Sequence, residues 1–201
     1  MPGSPTRVRG RRSSSRRSLR RMPATALIVV DVQRGFEDPA LGPRDDPGAE
    51  PNIGRLIAAW RKRGEPVVFV RHASGPDFPL QPGTPGYAFK DVVTGEPDLL
   101  VTKSVHSAFH GEPDLHVWLQ AAELPAIAIC GITTNHCCET TARLGDDLGY
   151  EVTFIADATH TFDMAGPDGV VIAAADLSRA TQASLHGEFA TVRTTDEVLA
   201  G

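Results

Sequence analysis

The residues best suited to chemistry stand where short apolar runs of the chain stop. Asp31 follows Ala26–Val30, Arg71 and His72 follow Pro66–Val70, and Lys103 follows Leu99–Thr102. The stretch Gly131–Cys138 follows Ala126–Cys130, and Asp157 follows Val152–Ala156. An aspartate held in a dry cleft can act as general base, whereas in a loop it only caps a turn. A lysine is ordinarily a solvated surface charge. Beside a carboxylate in a cleft it keeps that carboxylate ionised and lowers the pKa of a neighbouring thiol. Gly131–Ala142 (GITTNHCCETTA) runs from a buried strand through a tight turn into a helix. With Asn135 as N-cap, Cys137 falls in the first helical turn, where unpaired N–H groups and the positive dipole end favour a thiolate. The same N–H groups can receive an oxyanion from a substrate carbonyl. Cys138 lies about 100° further round the helix. It shares a face with the small residues Ala142 and Gly145 and is expected to pack on the sheet. Cys137 is expected to be exposed and Cys130 to be core. The adjacent pair is not the Cys-x-x-Cys redox spacing.

The elements that must position these groups follow from the same runs. Five short, uninterrupted, largely β-branched segments read as strands buried on both faces, hence a parallel sheet. Helices are expected between them. Residues 51–63 carry Ile53, Leu56, Ile57 and Trp60 at helical spacing and close on Gly64. Further helices are expected at 113–122, 135–148 and 167–184, with a last strand at 189–193. Alternating strands and helices predict a three-layer, doubly wound α/β fold with a mainly parallel central sheet. Residues 23–201 read as a single domain without internal repeats. The Pro-, Gly- and Asp-rich segments 36–50 and 72–97 are expected to be loops that shape a site.

Composition narrows the function. The 201 residues carry 20 Lys plus Arg and 25 Asp plus Glu, for a net charge of −5. Residues 1–21 hold eight arginines and no acid, which leaves the rest of the chain near −13. Residues 1–22 are expected to be a disordered Arg/Ser-rich tail or a mis-assigned start ahead of Met22. An acidic folded part is a poor partner for nucleic acid. Three cysteines within Cys130–Cys138 exclude a disulfide scaffold. No apolar run reaches the roughly 18–20 residues that a membrane span requires. A cytoplasmic location is expected. His106 and His110 are spaced i, i+4, but they lie in a loop without the glutamate of the zinc-protease motif. Neither a metal nor another cofactor is expected. His72 is a candidate substrate hydrogen bonder, or else a solvated loop histidine.

Three blocks together resemble the isochorismatase-like cysteine hydrolases, over roughly residues 24–195. Ala26–Phe36 (ALIVVDVQRGF) resembles the first-strand block with its catalytic aspartate, Asp31 here. Thr102–Phe109 (TKSVHSAF) resembles the block with the catalytic lysine, Lys103 here. Cys130–Cys137 (CGITTNHC) resembles the nucleophile block, in which the cysteine stands six residues after the glycine. The resemblance implies an isochorismatase-like fold and a triad of Asp31, Lys103 and Cys137. It also implies a cis peptide at Ile132–Thr133 and an oxyanion hole from the N–H groups of Thr133 and Cys137. The implied activity is hydrolysis of a C–N bond in a small amide, carbamoyl or lactam substrate, with no metal and no cofactor. Metal-dependent nicotinamidases carry an Asp-x-His-x-x-His-type ligand set after the second strand, where this chain has Arg71–Asp77 (RHASGPD) with one histidine. The segments around 71–86 and 137–143 resemble the streptothricin-hydrolase-like branch. Phe36, Phe109 and Phe162 are candidate pocket walls, with core packing as the other expectation for each. The family resemblance implies a homodimer or homotetramer. Isochorismatase-type ether hydrolysis through Asp31, and a non-catalytic oligomeric member of the fold, are the competing functions.

Overall fold

The computed structural model describes residues 24–200, so the expectations for residues 1–22 lie outside the described residues. The chain runs through β1 (Thr25–Val30), α1 (Ala49–Arg63), β2 (Val67–His72), β3 (Leu99–Lys103), α2 (Leu115–Ala121) and β4 (Ala126–Ile132). It continues through α3 (Glu139–Asp147), β5 (Glu151–His160), the short pair β6 (Met164–Ala165) and β7 (Val171–Ile172), α4 (Ala174–Leu185), β8 (Thr191–Arg193) and α5 (Thr195–Ala200). Six strands form one sheet in the order β3-β2-β1-β4-β5-β8. Every neighbouring pair in it is parallel. No helix among the described residues is long and apolar enough to cross a membrane.

The doubly covered sheet explains the uninterrupted apolar runs. In β1, Ala26, Ile28 and Val30 join a core with Leu115 and Leu119 of α2, Ala142 of α3 and Leu185 of α4. Leu27 and Val29 join the opposite core, with Ile53, Leu56, Ile57 and Trp60 of α1. Successive side chains of a strand point to opposite faces, so a strand covered on both sides must be apolar at every position. Helix α1 ends on Gly64 in the left-handed conformation (φ 67°), and Trp60 Nε1 donates to the carbonyl of Thr25 at 2.7 Å, tying helix to sheet.

Two helical expectations are corrected. Residues 167–184 are not one helix: α4 begins only at Ala174, and Met164–Ile172 is an antiparallel hairpin. The Asp168–Gly169 pair makes the turn. Asp168 accepts from the N–H of Val170, and Gly169 has φ 79°. Residues 135–148 are also divided. Thr134–Cys138 is a widened turn, in which the N–H of Cys138 reaches back five residues to the carbonyl of Thr133, and α3 follows from Glu139. Asn135 is not the N-cap; its Oδ1 accepts from Thr161 Oγ1 at 2.6 Å.

The chain leaves β1 towards β2 and β3, then returns to β4 on the other side of β1. The crevice between the carboxyl ends of β1 and β4 is therefore the topological switch point, where open α/β sheets bind ligands. Gly131 lets the strands close there. A Cβ on it would lie 2.0 Å from the Val30 carbonyl oxygen and 2.7 Å from the Val30 nitrogen, and its φ is 136°. Gly131→Ala is expected to destabilise the fold by about 4 kcal/mol or more, in the exceptional range for single substitutions, as read by urea denaturation. Stability within about 0.5 kcal/mol of the parent would contradict this packing.

Candidate active site

Asp31 follows β1 directly and is wholly buried, with a left-handed backbone (φ 52°). Such a conformation costs a non-glycine residue on the order of 1 kcal/mol and must be held by its surroundings. Its N–H donates to the Val70 carbonyl at 3.0 Å, and its carbonyl accepts from Gln33 N–H at 2.8 Å. Lys103 closes β3, and His72 is its register partner at the end of β2, so the two side chains emerge together. Lys103 Nζ lies 2.5 Å from Asp31 Oδ2, 3.1 Å from His72 Nδ1 and 3.4 Å from Cys137 Sγ. An ammonium has three N–H donors, and all three are thereby used. The second carboxylate oxygen, Asp31 Oδ1, is buried and accepts no hydrogen bond.

Donor atoms of Asp31, His72 and Cys137 lie within 4.8 Å of one another, a set that by residue type could hold a metal ion. The fit is poor, because the Lys103 ammonium already bonds to all three. The protein supplies its own cation at the centre of the set.

Electrostatics correct one expectation. The Cys137 thiol is pushed up to about 12, first by burial and then by the Asp31 charge, with Lys103 opposing. The Lys103 cation does not offset the loss of water and the Asp31 charge, so the resting sulfur carries its proton. Burial likewise raises the Asp31 carboxyl, against the pull of Lys103. Cys137 is also more enclosed than expected, at 7% exposure, although it lines a cavity. Cys138 and Cys130 are fully buried in the core.

His72 is held down to about 4, by burial first, then by the charges of Lys103 and His106. It is therefore neutral near pH 7. With Nδ1 accepting from Lys103, the tautomer assigned from the network places its proton on Nε2. A histidine whose folded pKa lies below its ordinary 6.5 contributes stability above pH 6.5 that is lost as the pH falls towards 4. His72→Asn, whose Oδ1 can replace Nδ1 as acceptor, is expected to flatten that part of the stability–pH curve. An unchanged slope between pH 6.5 and 4 in urea titrations would contradict the assignment.

The cavity above the sulfur has a volume of about 420 Å³. Asp31, His72, Thr133 and Cys137 line it together with Phe36, Phe78 and Phe162. Phe36 and Phe162 stack with centroids 6.3 Å apart, and Phe78 meets Phe36 edge-on at 6.2 Å. Phe109 is not a wall of this cavity. It belongs to the core with Leu115, Leu119 and Ala142, stacked on Tyr150 at 5.7 Å. The Ile132–Thr133 peptide bond is cis.

Other candidates at strand ends serve the scaffold. Asp157 accepts from the N–H and hydroxyl of Thr195, capping α5. Arg71 lies over the Tyr87 ring at 4.4 Å. His110 is exposed and does not line the cavity. Sequence reasoning missed Gln33, and it weighed His106 only with His110 as a metal-ligand pair. The Gln33 amide donates to the carbonyls of His72 and Tyr87 and accepts from the His72 N–H, clamping the end of β2 to the segment after β1. His106 Nδ1 is 3.8 Å from Cys137 Sγ. The available signals were spacings: Gln33 stands two residues after Asp31, and His106 three after Lys103.

An isochorismatase domain model matches residues 25–197. The isochorismatase family protein YrdC of Bacillus subtilis is 37% identical over 87% of this chain and 94% of its own length. A streptothricin hydrolase of Streptomyces noursei is 31% identical over 81% of this chain and 60% of its own. The ureidoacrylate amidohydrolase RutB of Methylobacterium radiotolerans is 32% identical, covering 74% of this chain and 70% of its own. Among solved structures, an isochorismatase-family protein from Chromobacterium violaceum superposes with a TM-score of 0.83, at 33% identity over 88% of this chain and 92% of the other. A cysteine hydrolase from Pseudomonas syringae pv. phaseolicola gives 0.79, at 31% identity over 88% and 91%.

Proposed function

This chain belongs to the isochorismatase family, and from that premise we propose that it is a cysteine hydrolase cleaving the C–N bond of a small amide, carbamoyl compound or lactam. One observation carries this reading: Lys103 Nζ bridges Asp31 Oδ2 at 2.5 Å and Cys137 Sγ at 3.4 Å, joining three reactive groups from separate parts of the chain. The amidohydrolase and the cysteine hydrolase among its relatives lend support.

Asp31 accepts the Cys137 proton as the sulfur attacks the substrate carbonyl. The raised thiol pKa suits this order of events: the proton leaves during attack instead of beforehand. Lys103 keeps Asp31 ionised until then and steadies the negative charge as it passes from the carboxylate to the attacking sulfur. The N–H groups of Thr133 and Cys137 receive the carbonyl oxyanion. As the C–N bond breaks, Asp31 returns the proton to the departing nitrogen and leaves a thioester on Cys137. Asp31 then takes a proton from water, whose oxygen attacks the thioester carbonyl and frees the carboxylic acid (the carbamic acid for a carbamoyl substrate) and the thiol.

Ammonia release from a panel of small primary amides tests the proposal. Turnover of at least one member is expected, together with its loss once Cys137 is alkylated by a small reagent. Isochorismate turnover that survives alkylation would instead favour ether hydrolysis through Asp31 alone.

A further inference from the structure

Hydrolytic chemistry at Cys137 leaves the substrate's character open, and the walls of the cavity restrict it. Beside the reacting groups lie Phe36, Phe78, Phe162, Leu41, Leu80 and Met164. Among the described residues no arginine lines the cavity, and the Lys103 ammonium beneath it has all three N–H groups engaged. Two further cations, Arg44 and Lys90, stand in a separate recess on the far side of Phe36 and Phe162. Both are committed to Glu50, at 2.6 and 2.5 Å. Glu50 is held well below the usual carboxylate range by His160, Arg44 and Lys90, so it stays charged and keeps hold of both cations.

Each acid at the cavity has one partner. Asp31 is paired with Lys103, and Asp163 accepts the first N–H of α4, from Ala174 at 2.8 Å. His136 at the cavity is lowered, first by burial, and so is neutral near pH 7. His106, whose Nδ1 lies 3.8 Å from Cys137 Sγ, also lines the cavity. A charged substituent entering this space would shed its water for a lining of rings and already partnered groups, with no free lysine or arginine among the described residues to receive it. A flat apolar group would instead meet ring faces and edges at ordinary aromatic packing distances. The volume of about 420 Å³ lies towards the small end for ligand pockets and admits a single ring with its amide.

We propose that the substrate is an uncharged amide bearing an aromatic or similarly sized apolar group, seated against Phe36, Phe78 and Phe162. The inference rests on the cysteine-hydrolase reading and selects within it. It sets this chain apart from a hydrolase of carboxylate-bearing amides, such as the acrylate in one relative's name.

The test compares kcat/KM of the full chain for benzamide, 3-carboxybenzamide, 3-(aminomethyl)benzamide and acetamide. Benzamide is expected to exceed both charged analogues by about 100-fold or more, because each would give up its water for a lining dominated by Phe36, Phe78, Phe162, Leu41, Leu80 and Met164. It should exceed acetamide by about 10-fold or more through burial of the ring. Phe78, 40% exposed on its loop, allows a gain-of-function check. Phe78→Arg should bring 3-carboxybenzamide to within about 10-fold of benzamide by supplying a bidentate partner. Acylation of Cys137 by 4-nitrophenyl acetate, read by intact mass, reports separately on the nucleophile. If Cys137 acylates but the charged analogues match or exceed benzamide, or no amide turns over, the substrate class is overturned. If Cys137 does not acylate and no amide turns over, the hydrolytic reading falls with it.

Discussion

Cys137→Ser is expected to lower kcat/KM for any amide substrate by about 10⁴-fold or more, the scale on which loss of a covalent nucleophile acts. A serine hydroxyl is far less acidic than a thiol, and the pocket already disfavours deprotonation, since burial and Asp31 push the Cys137 thiol up to about 12. Asp31 would then face a proton that it cannot remove at a useful rate. The variant should fold, because the side chain keeps its size at a site 7% exposed. Its urea midpoint should therefore stay close to the parent while turnover disappears. Retained turnover would show that the reaction does not pass through sulfur, and would return the account to Asp31 acting directly on water.

The second large effect concerns the pair beneath the sulfur. Asp31 and Lys103 side chains are both 0% exposed and share a 2.5 Å contact. Removing one partner leaves the other as an uncompensated buried charge, at a cost of about 3–5 kcal/mol. Asp31→Asn and Lys103→Met are each expected to lose that much stability. They should also lose activity by about 10²–10⁴-fold or more, the range that one general base supplies. The double variant should be more stable than either single one, because an amide and a thioether need no counter-charge, yet it should remain inactive. That non-additivity is the signature of a coupled pair. Stability losses that simply add would mean that the two side chains do not share a common environment.

What the chain revealed in advance, and what it withheld, follows from what periodicity encodes. The apolar runs mark strands covered on both faces, and the residues just beyond them include Asp31, His72 and Lys103, which the sheet gathers at one edge. The run that ends at Ala156 gave no sign that β5 continues to His160, because Asp157 and Thr159 interrupt its apolar pattern. Those polar groups find partners only in the folded protein: Asp157 with Thr195, and Thr159 with the carbonyl of Ala156. Helical spacing separated Cys137 from Cys138 correctly by direction, since Cys138 is core and Cys137 faces the cavity. It could not foretell depth, which depends on residues brought from elsewhere in the chain, such as Lys103 and His106 at the sulfur. Phe109 illustrates the same limit. Its place three residues beyond His106 does not reveal that it turns into the core beneath α2 and α3 to meet Tyr150. The 167–184 segment reads as helix by composition, but local turn chemistry at Asp168 and Gly169 prevails over its first part.

The central claim is that Cys137 carries the acyl group during turnover, with Asp31 and Lys103 at its side. Acid-quenched single turnovers, with the wild-type chain in excess over a cleaved amide, should yield an acylated peptide containing Cys137. The mass increment should match the substrate's acyl part, and both the adduct and turnover should vanish in Cys137→Ser. Repeated turnover with no adduct on that peptide at any quench time, together with an active serine variant, would contradict the account.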